Sequence, residues 1–287
     1  MKKLLLIDAN SLIHRCFHAL PPLTTPQGAP INAIYGLSSI LLKILRDHNP
    51  DYVAAAFDRP EPTFRDEMYK EYKAHRPPTD DKLLPQLKGA HQTFEKFGIP
   101  VVEKAGFEAD DIVATLSEIY KKDPDMKVVI FSGDKDNLQL IDGDRVVVEL
   151  LRTGVSKTVT YNEALFLQDY GFSPKQFVDY KALVGDVSDN IPGVKGIGPK
   201  GATDLIKEYG SIEKIYEEVG LIPKKVLQKK LEENREMAFL SKKLAAMKRD
   251  APLEISLDNL KQHFLDKEEL KKYFEELGFK SLTERLS

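Results

Sequence analysis

The sequence contains a single cysteine, Cys16, among 287 residues. No internal disulfide can form, which excludes a stapled secreted scaffold and suits a reducing compartment. Cys16 lies between His14-Arg15 and Phe17-His18 on an expected helix and reads as a small packing residue, not a nucleophile. Long apolar runs are missing as well; none approaches the roughly 20 residues that span a bilayer. The opening Met1-Lys2-Lys3-Leu4-Leu5-Leu6-Ile7-Asp8 is superficially like a secretory signal. Its apolar run is short and stops at an aspartate, so it reads as a buried strand. The chain is therefore expected in the cytoplasm, with no membrane partner. A basic excess is lacking too. The formal net charge of −3 argues against a simple basic nucleic-acid binder, although the distribution of charge matters more than its sum. No Ser-His or Cys-His arrangement offers a side-chain nucleophile.

Carboxylates at the ends of apolar runs are what the chain has instead. Leu4 to Ile7 ends at Asp8, Val53 to Phe57 ends at Asp58, and Lys127 to Phe131 runs into Ser132-Gly133-Asp134-Lys135-Asp136. Helical patterns separate these runs, one of them from Asn32 to Arg46 with Ile34, Leu37, Ile40, Leu41 and Ile44 on its apolar face. Strand alternating with helix predicts an α/β fold with a central, mainly parallel sheet flanked by helices. Ligands of such sheets bind outside the carboxyl ends of the strands, where these acids fall. A single aspartate there is ordinarily a turn or cap residue.

A further cluster, Glu108, Asp110 and Asp111, opens a helix continued by Ile112, Val113, Leu116 and Ile119. Ideal geometry sets Glu108 and Asp111 about 60° apart around the axis. On its own the cluster is equally a solvated acidic helix start or a set of metal ligands. Added to three acid-terminated strands, it favours ligation, because so many carboxylates on one edge repel unless divalent cations neutralise them. With oxygen donors and no Cys or His cluster, those cations are Mg²⁺ or Mn²⁺, not zinc.

Residues 60–90 form a charged insertion, including Tyr69-Lys70-Glu71-Tyr72-Lys73-Ala74-His75-Arg76-Pro77-Pro78. It reads either as a solvated excursion or as a mobile element whose Lys, Arg and Tyr meet phosphates and bases. After strands around 145–151 and 157–160 the chain turns helical. There Gly185-Asp186-Val187-Ser188-Asp189-Asn190 adds two acids, and Lys195-Gly196-Ile197-Gly198-Pro199-Lys200-Gly201 runs into a helix expected at 202–209. The formal G-x-G-x-x-G follows no apolar strand, so it is not read as a dinucleotide fingerprint. A glycine turn between helices, flanked by Lys195 and Lys200, suits the phosphates of one DNA strand. Helices are expected over 212–219, 224–240 and 267–277, with Lys224-Lys225 and Lys229-Lys230 as a solvated face or an outer duplex contact.

These motifs together resemble the 5′ nuclease (flap endonuclease) family, above all its bacterial branch, the amino-terminal 5′→3′ exonuclease domain of DNA polymerase I. The likeness rests on Asp8, Phe57-Asp58, Phe64-Arg65, Glu71 to Pro77, Gly106 to Asp111, Asp134-Lys135-Asp136, Gly185 to Gly193 and Lys195 to Lys200, and covers essentially the whole chain. It implies a nuclease core of the PIN-like type at 1–170 with a helical arch at about 60–90. It also implies a helical region at 171–287 carrying a helix-three-turn-helix element. By the same likeness, two Mg²⁺ ions (Mn²⁺ substituting) would sit among Asp8, Asp58, Glu108 and Asp110 and among Asp134, Asp136, Asp186 and Asp189. Asp111 would lie nearby or in an outer shell. Lys73 and Arg76 would face the scissile phosphate, Tyr72 would stack on an unpaired base, and Arg15, Lys195, Gly196, Gly198, Lys200 and Gly201 would contact DNA, with K⁺ at the glycine turn. The implied substrate is branched, nicked or 5′-flapped DNA, including RNA-primed ends, handled by a nucleoid-associated monomer beside a polymerase and a ligase. The chain would be a stand-alone nuclease or part of a longer polymerase. Competing readings are a non-catalytic DNA-junction binder and a PIN-type ribonuclease.

Overall fold

In a computed structural model of the chain, residues 1–263 and 265–286 are described. Strand β1 (Lys2–Asp8) is covered on both faces, which is why it reads as an unbroken apolar run. Alternation sends Leu4 and Leu6 into one apolar cluster and Leu5 and Ile7 into another. After β1 come α1 (Ala9–Ala19), α2 (Asn32–His48), β2 (Tyr52–Ala56), α3 (Phe64–Met68), α4 (Leu84–Lys96), β3 (Val101–Val102), α5 (Ala109–Tyr120) and β4 (Met126–Ser132). Then follow β5 (Val146–Thr153), β6 (Lys157–Tyr161) and α6 (Glu163–Tyr170). The six strands pair in the order β3-β2-β1-β4-β5-β6. All pairings are parallel except β5 with β6. The chain winds outward from β1 in one direction, then returns to β4 on its other side. That reversal leaves a crevice at the carboxyl ends of β1 and β4.

The helical region comprises α7 (Phe177–Val184), α8 (Pro199–Tyr209), α9 (Ile212–Glu217), α10 (Lys225–Glu233), α11 (Arg235–Ala245), α12 (Lys267–Glu276) and α13 (Lys280–Glu284). Ala182, Leu205, Ile206, Leu231 and Ala238 join the cluster that packs α5 on one face of the sheet. Leu270, Phe274 and Leu282, from α12 and α13, cross to the opposite face and pack with α2 and α4. Both faces of the sheet are thus closed, and its carboxyl edge stays open.

Two expectations need correction. The helix foreseen at 224–240 is two helices, broken at Asn234, whose side-chain amide donates to the Lys230 carbonyl at 2.8 Å. A polar side chain competing for a backbone carbonyl in this way favours a helix end. The insertion also differs from a helical arch. Only α3 is helical, residues 69–83 form turns and irregular backbone, and α4 already belongs to the core through Ala90 and Phe94. Residues 70–82 lack an apolar stripe, and Pro77-Pro78 cannot continue a helix.

Candidate functional site

Each strand-end acid holds a backbone or hydroxyl donor that fixes its direction. Asp8 caps α1: one carboxylate oxygen accepts the Ser11 N–H at 3.2 Å, the other the Ser132 hydroxyl at 2.6 Å. Asp58 accepts the Ala109 N–H at 2.7 Å, which pins the start of α5 beside the end of β2. Asp134 accepts the Asp136 N–H at 2.9 Å. The side chains expected at the site thus also make the ordinary capping and turn contacts of such acids. Asp8, Asp58, Glu108, Asp110 and Asp134 line one cleft of about 220 Å³, overhung by Lys73 and Arg76. A neighbouring crevice of about 710 Å³ is lined by Asp134, Asp136 and Asp186 together with Arg15 and Lys181. Asp134 faces both.

Burial and crowding dominate the electrostatics. Burial pushes the Asp8 carboxyl up to about 6 and the Asp136 carboxyl up to about 7. Asp110 is held well above the carboxylate range, first by burial and then by the charges of Asp8, Asp134 and Asp136. Burial acts upward on Asp186 too, but Lys181 and Ser188 outweigh it and its pKa falls. Among the described residues no three acidic, His or Cys groups close into a ready-made cation cage. The chain's own cations lie between the acids instead: Lys73 Nζ is 2.6 Å from Glu108, Lys181 Nζ is 2.6 Å from Asp136 and also pairs with Asp186. The donors at the crevice are oxygens, and the buried Asn137 Oδ1 has no hydrogen-bond partner among the described residues. Oxygen-rich, anionic and short of counter-charge, the edge fits hard divalent cations.

Asp111, Asp189 and Tyr72 line neither cleft. Asp111 is fully buried and spends both carboxylate oxygens on Arg65, at 2.7 and 2.8 Å, and on the N–H groups of Glu108 and Lys248. It is a structural anion that secures the start of α5. Asp189 lines neither cleft; it accepts from Arg76 Nη2 at 2.6 Å and from Tyr72. Tyr72 is no exposed stacking platform: its ring is buried against Ile191 and Leu244, and its hydroxyl donates to Glu108 and Asp189. Arg15, expected as a DNA contact, lines the larger crevice, where it donates to the Leu151 carbonyl at 3.0 Å.

At the glycine turn, Lys195, Gly196, Gly198 and Lys200 are exposed. Gly196 has φ +82°, a left-handed conformation that suits glycine. Helix α8 begins at Pro199, before the expected start, so Gly201 lies inside its first turn and not in the loop. No side chain caps α8, which leaves its first N–H groups available to an anion. The Gly196 carbonyl accepts from Lys230 Nζ at 2.9 Å, so a K⁺ ion there would compete with a tethered ammonium.

Sequence reasoning missed Asn137, Ser132 and Lys181. Asn137 is buried, and its amide donates to Asp110 at 3.0 Å and contacts Asp8 and Ser132. Its signal was an amide directly after Asp134-Lys135-Asp136, where a run of acids would need a neutral donor.

An acid-rich switch-point crevice beneath a basic segment, continued by helices that present bare N–H groups and lysines, is built for polyanion hydrolysis, and the class it defines is a nuclease. Residues 3–171 match the family model described as 5′-3′ exonuclease, N-terminal resolvase-like domain, and residues 172–268 match 5′-3′ exonuclease, C-terminal SAM fold. The chain belongs to the 5′-3′ exonuclease family. It is 44 % identical to DNA polymerase I of Caldicellulosiruptor bescii over 99 % of this chain and 33 % of that protein. It is 41 % identical to DNA polymerase I of Bacillus subtilis over 99 % of this chain and 32 % of that protein. The chain thus spans about a third of the length of these curated relatives. Its fold is similar to T5 5′-exonuclease, solved with divalent metal ions (zinc), at TM-score 0.70 and 24 % identity over 86 % of this chain and 90 % of that one. It is also similar to the catalytic core of Rad2 in complex with DNA substrate, at TM-score 0.64 and 18 % identity over 100 % of this chain and 93 % of that one.

Proposed function

We propose that this chain is a structure-specific 5′→3′ exonuclease and 5′-flap endonuclease that hydrolyses DNA phosphodiesters with two Mg²⁺ ions, Mn²⁺ substituting. The observation that carries this reading is the convergence of Asp8, Asp58, Glu108, Asp110 and Asp134 on one cleft at the switch point of the sheet. When bound, the ions supply an activated water and charge stabilisation for the leaving oxygen. Asp8, Asp58, Glu108, Asp110 and Asp134 would hold one ion, and Asp134, Asp136 and Asp186 the other. Asn137 and Ser132 keep the Asp8 and Asp110 carboxylates oriented by hydrogen bonds. Lys73 and Arg76 overhang the same cleft and meet the scissile phosphate as its charge builds, once they exchange their carboxylate partners for it. Lys195, Lys200 and the open start of α8 hold one strand of the downstream duplex without reading its sequence. In a cell this activity removes RNA-primed or displaced 5′ ends and hands a nick to a polymerase and a ligase.

The test is incubation with labelled 5′-flap DNA, a nicked duplex and matched RNA, in Mg²⁺ and in EDTA. Cleavage of the flap and nick substrates in Mg²⁺ alone, leaving a 5′ phosphate on the released fragment, supports the reading. Binding without turnover would identify a junction binder, and preference for RNA would identify a ribonuclease.

A further inference from the structure

Two non-glycine residues with left-handed backbone lie on two segments that hydrogen-bond to each other: Lys73, with φ +54°, and Asn190, with φ +53°. Such a conformation costs an ordinary residue about 1 kcal/mol or more and persists where surroundings over-determine it. Here the surroundings are a set of hydrogen bonds joining two segments distant in sequence. The Asn190 side-chain amide donates to the Glu71 carbonyl at 2.6 Å, and the Lys73 N–H donates to the Asp189 carbonyl at 2.9 Å. Arg76 adds a contact to Asp189 at 2.6 Å.

The receiving turn is itself rigid. Asp186 and Ile191 exchange backbone hydrogen bonds of 2.8 Å in both directions. Gly185 and Gly193 lie back to back, so a Cβ on Gly185 would come within 2.5 Å of the Ile191 carbonyl oxygen. A Cβ on Gly193 would come within 2.5 Å of the Gly185 nitrogen. The basic arm, by contrast, has no regular structure over 69–83 and only Tyr72 buried between Tyr69 and Arg76. It is fastened to this turn, and beside it to Glu108 through Tyr72 and Lys73 and to Leu244 through the Tyr72 ring.

We propose that Asn190 is a positioning residue: its amide latches the arm at Glu71, and that latch sets where Lys73 and Arg76 stand over the acid cleft. Asn190 lines neither cleft, and among the described residues its side-chain amide hydrogen-bonds to the Glu71 carbonyl. The left-handed backbone explains why asparagine suits the position, since it tolerates this conformation and carries a donor, whereas glycine tolerates it without one. The proposal rests on the nuclease reading only for its effect on turnover; the latch itself stands on the geometry.

The experiment compares Asn190→Gly and Asn190→Asp with the wild type. Both variants accept the left-handed backbone and both lack the amide donor. The first measurement is limited trypsinolysis after Lys70 and Lys73 in EDTA, followed by mass spectrometry, which needs neither metal nor activity. Cleavage in the arm roughly fivefold faster in both variants, the size of one lost hydrogen bond, supports the latch. The second is single-turnover cleavage of 5′-flap DNA in Mg²⁺ beside equilibrium binding in Ca²⁺. A rate lowered about ten- to a hundredfold, with affinity changed less than about threefold, is what misplaced groups produce. Wild-type proteolysis rates in both variants overturn the proposal, as does a defect confined to Asn190→Asp, which would be a charge effect. Faster proteolysis in a protein that cleaves no DNA in any form would keep the latch and reject the nuclease reading.

Discussion

Arg65 and Asp111 form a buried bidentate ion pair, with Nη1 and Nη2 at 2.7 and 2.8 Å from the two carboxylate oxygens. The remaining N–H groups of the guanidinium go to Glu108 and to the Leu244 and Ala246 carbonyls, so all five are used. The pair joins the root of the arm, the acidic start of α5 and the end of α11 at one point. A buried pair stabilises little against an apolar replacement, but breaking it strands a charge. Arg65→Ala is therefore expected to cost about 3–5 kcal/mol in urea unfolding. A loss below about 1 kcal/mol would contradict this account.

Asp110 is the converse case, an acid whose pKa is raised by burial and by the charges of Asp8, Asp134 and Asp136; under the proposed function it would hold a cation. Asp110→Asn keeps an oxygen acceptor and removes a charge that Asp8, Asp134 and Asp136 repel. In EDTA the variant should melt higher than the wild type, the expected trade of stability for function. Its gain in Tm on adding Mn²⁺ should shrink. A wild-type response to Mn²⁺ together with a lower Tm in EDTA would remove Asp110 from the site.

Lys73 pairs with Glu108 at 2.6 Å while overhanging the cleft, and although burial acts against its charge, Glu108 and Asp189 raise its pKa. It stays an ammonium throughout the working range. Lys73→Ala should lower the single-turnover rate about a hundredfold or more, as loss of a transition-state cation does, with little change in affinity measured in Ca²⁺. Weaker binding at an unchanged rate would make it a docking residue.

Lys200 stands exposed at the open start of α8. Lys200→Ala should weaken duplex binding for every sequence alike and reduce the slope of log K against log[salt] by about 1. Titrations at several salt concentrations decide it; an unaltered slope would place the phosphate contact elsewhere.

Cys16 is sealed between α1 and α2, and burial pushes its thiol up to about 12. At pH 8 the native protein should react with a disulfide reagent about a hundredfold or more slowly than the same chain in urea, because the thiolate is the reacting form. A built Cβ on Gly36 would lie 2.8 Å from the Cys16 Cβ, so Gly36→Ala should lower Tm by crowding this contact. Rapid modification without denaturant would refute the packing role.

Much of the architecture was legible because strand periodicity is local. The apolar runs ending at Asp8 and Asp58, and the run leading into Asp134, placed the carboxyl edge of the sheet, and the stripe on α2 placed one of its cover helices. The two-residue β3 carried too little pattern to be seen, and the arm carried no pattern from which its turns could be read. Tyr72 looked like a surface ring because its neighbours are charged; the C-terminal residues that bury it, Ile191 and Leu244, are far away in sequence.

The sequence by itself determined that an apolar sheet would end in carboxylates, since alternation and the stop of an apolar run are encoded residue by residue. Only the tertiary structure decided which carboxylates are answered by protein cations and which are left short of counter-charge. Arg65 finds Asp111 across 46 positions, and Asn137 finds Asp110 across 27. An ion pair or buried hydrogen bond depends on which elements the topology brings within about 3 Å, and no local pattern carries that distance.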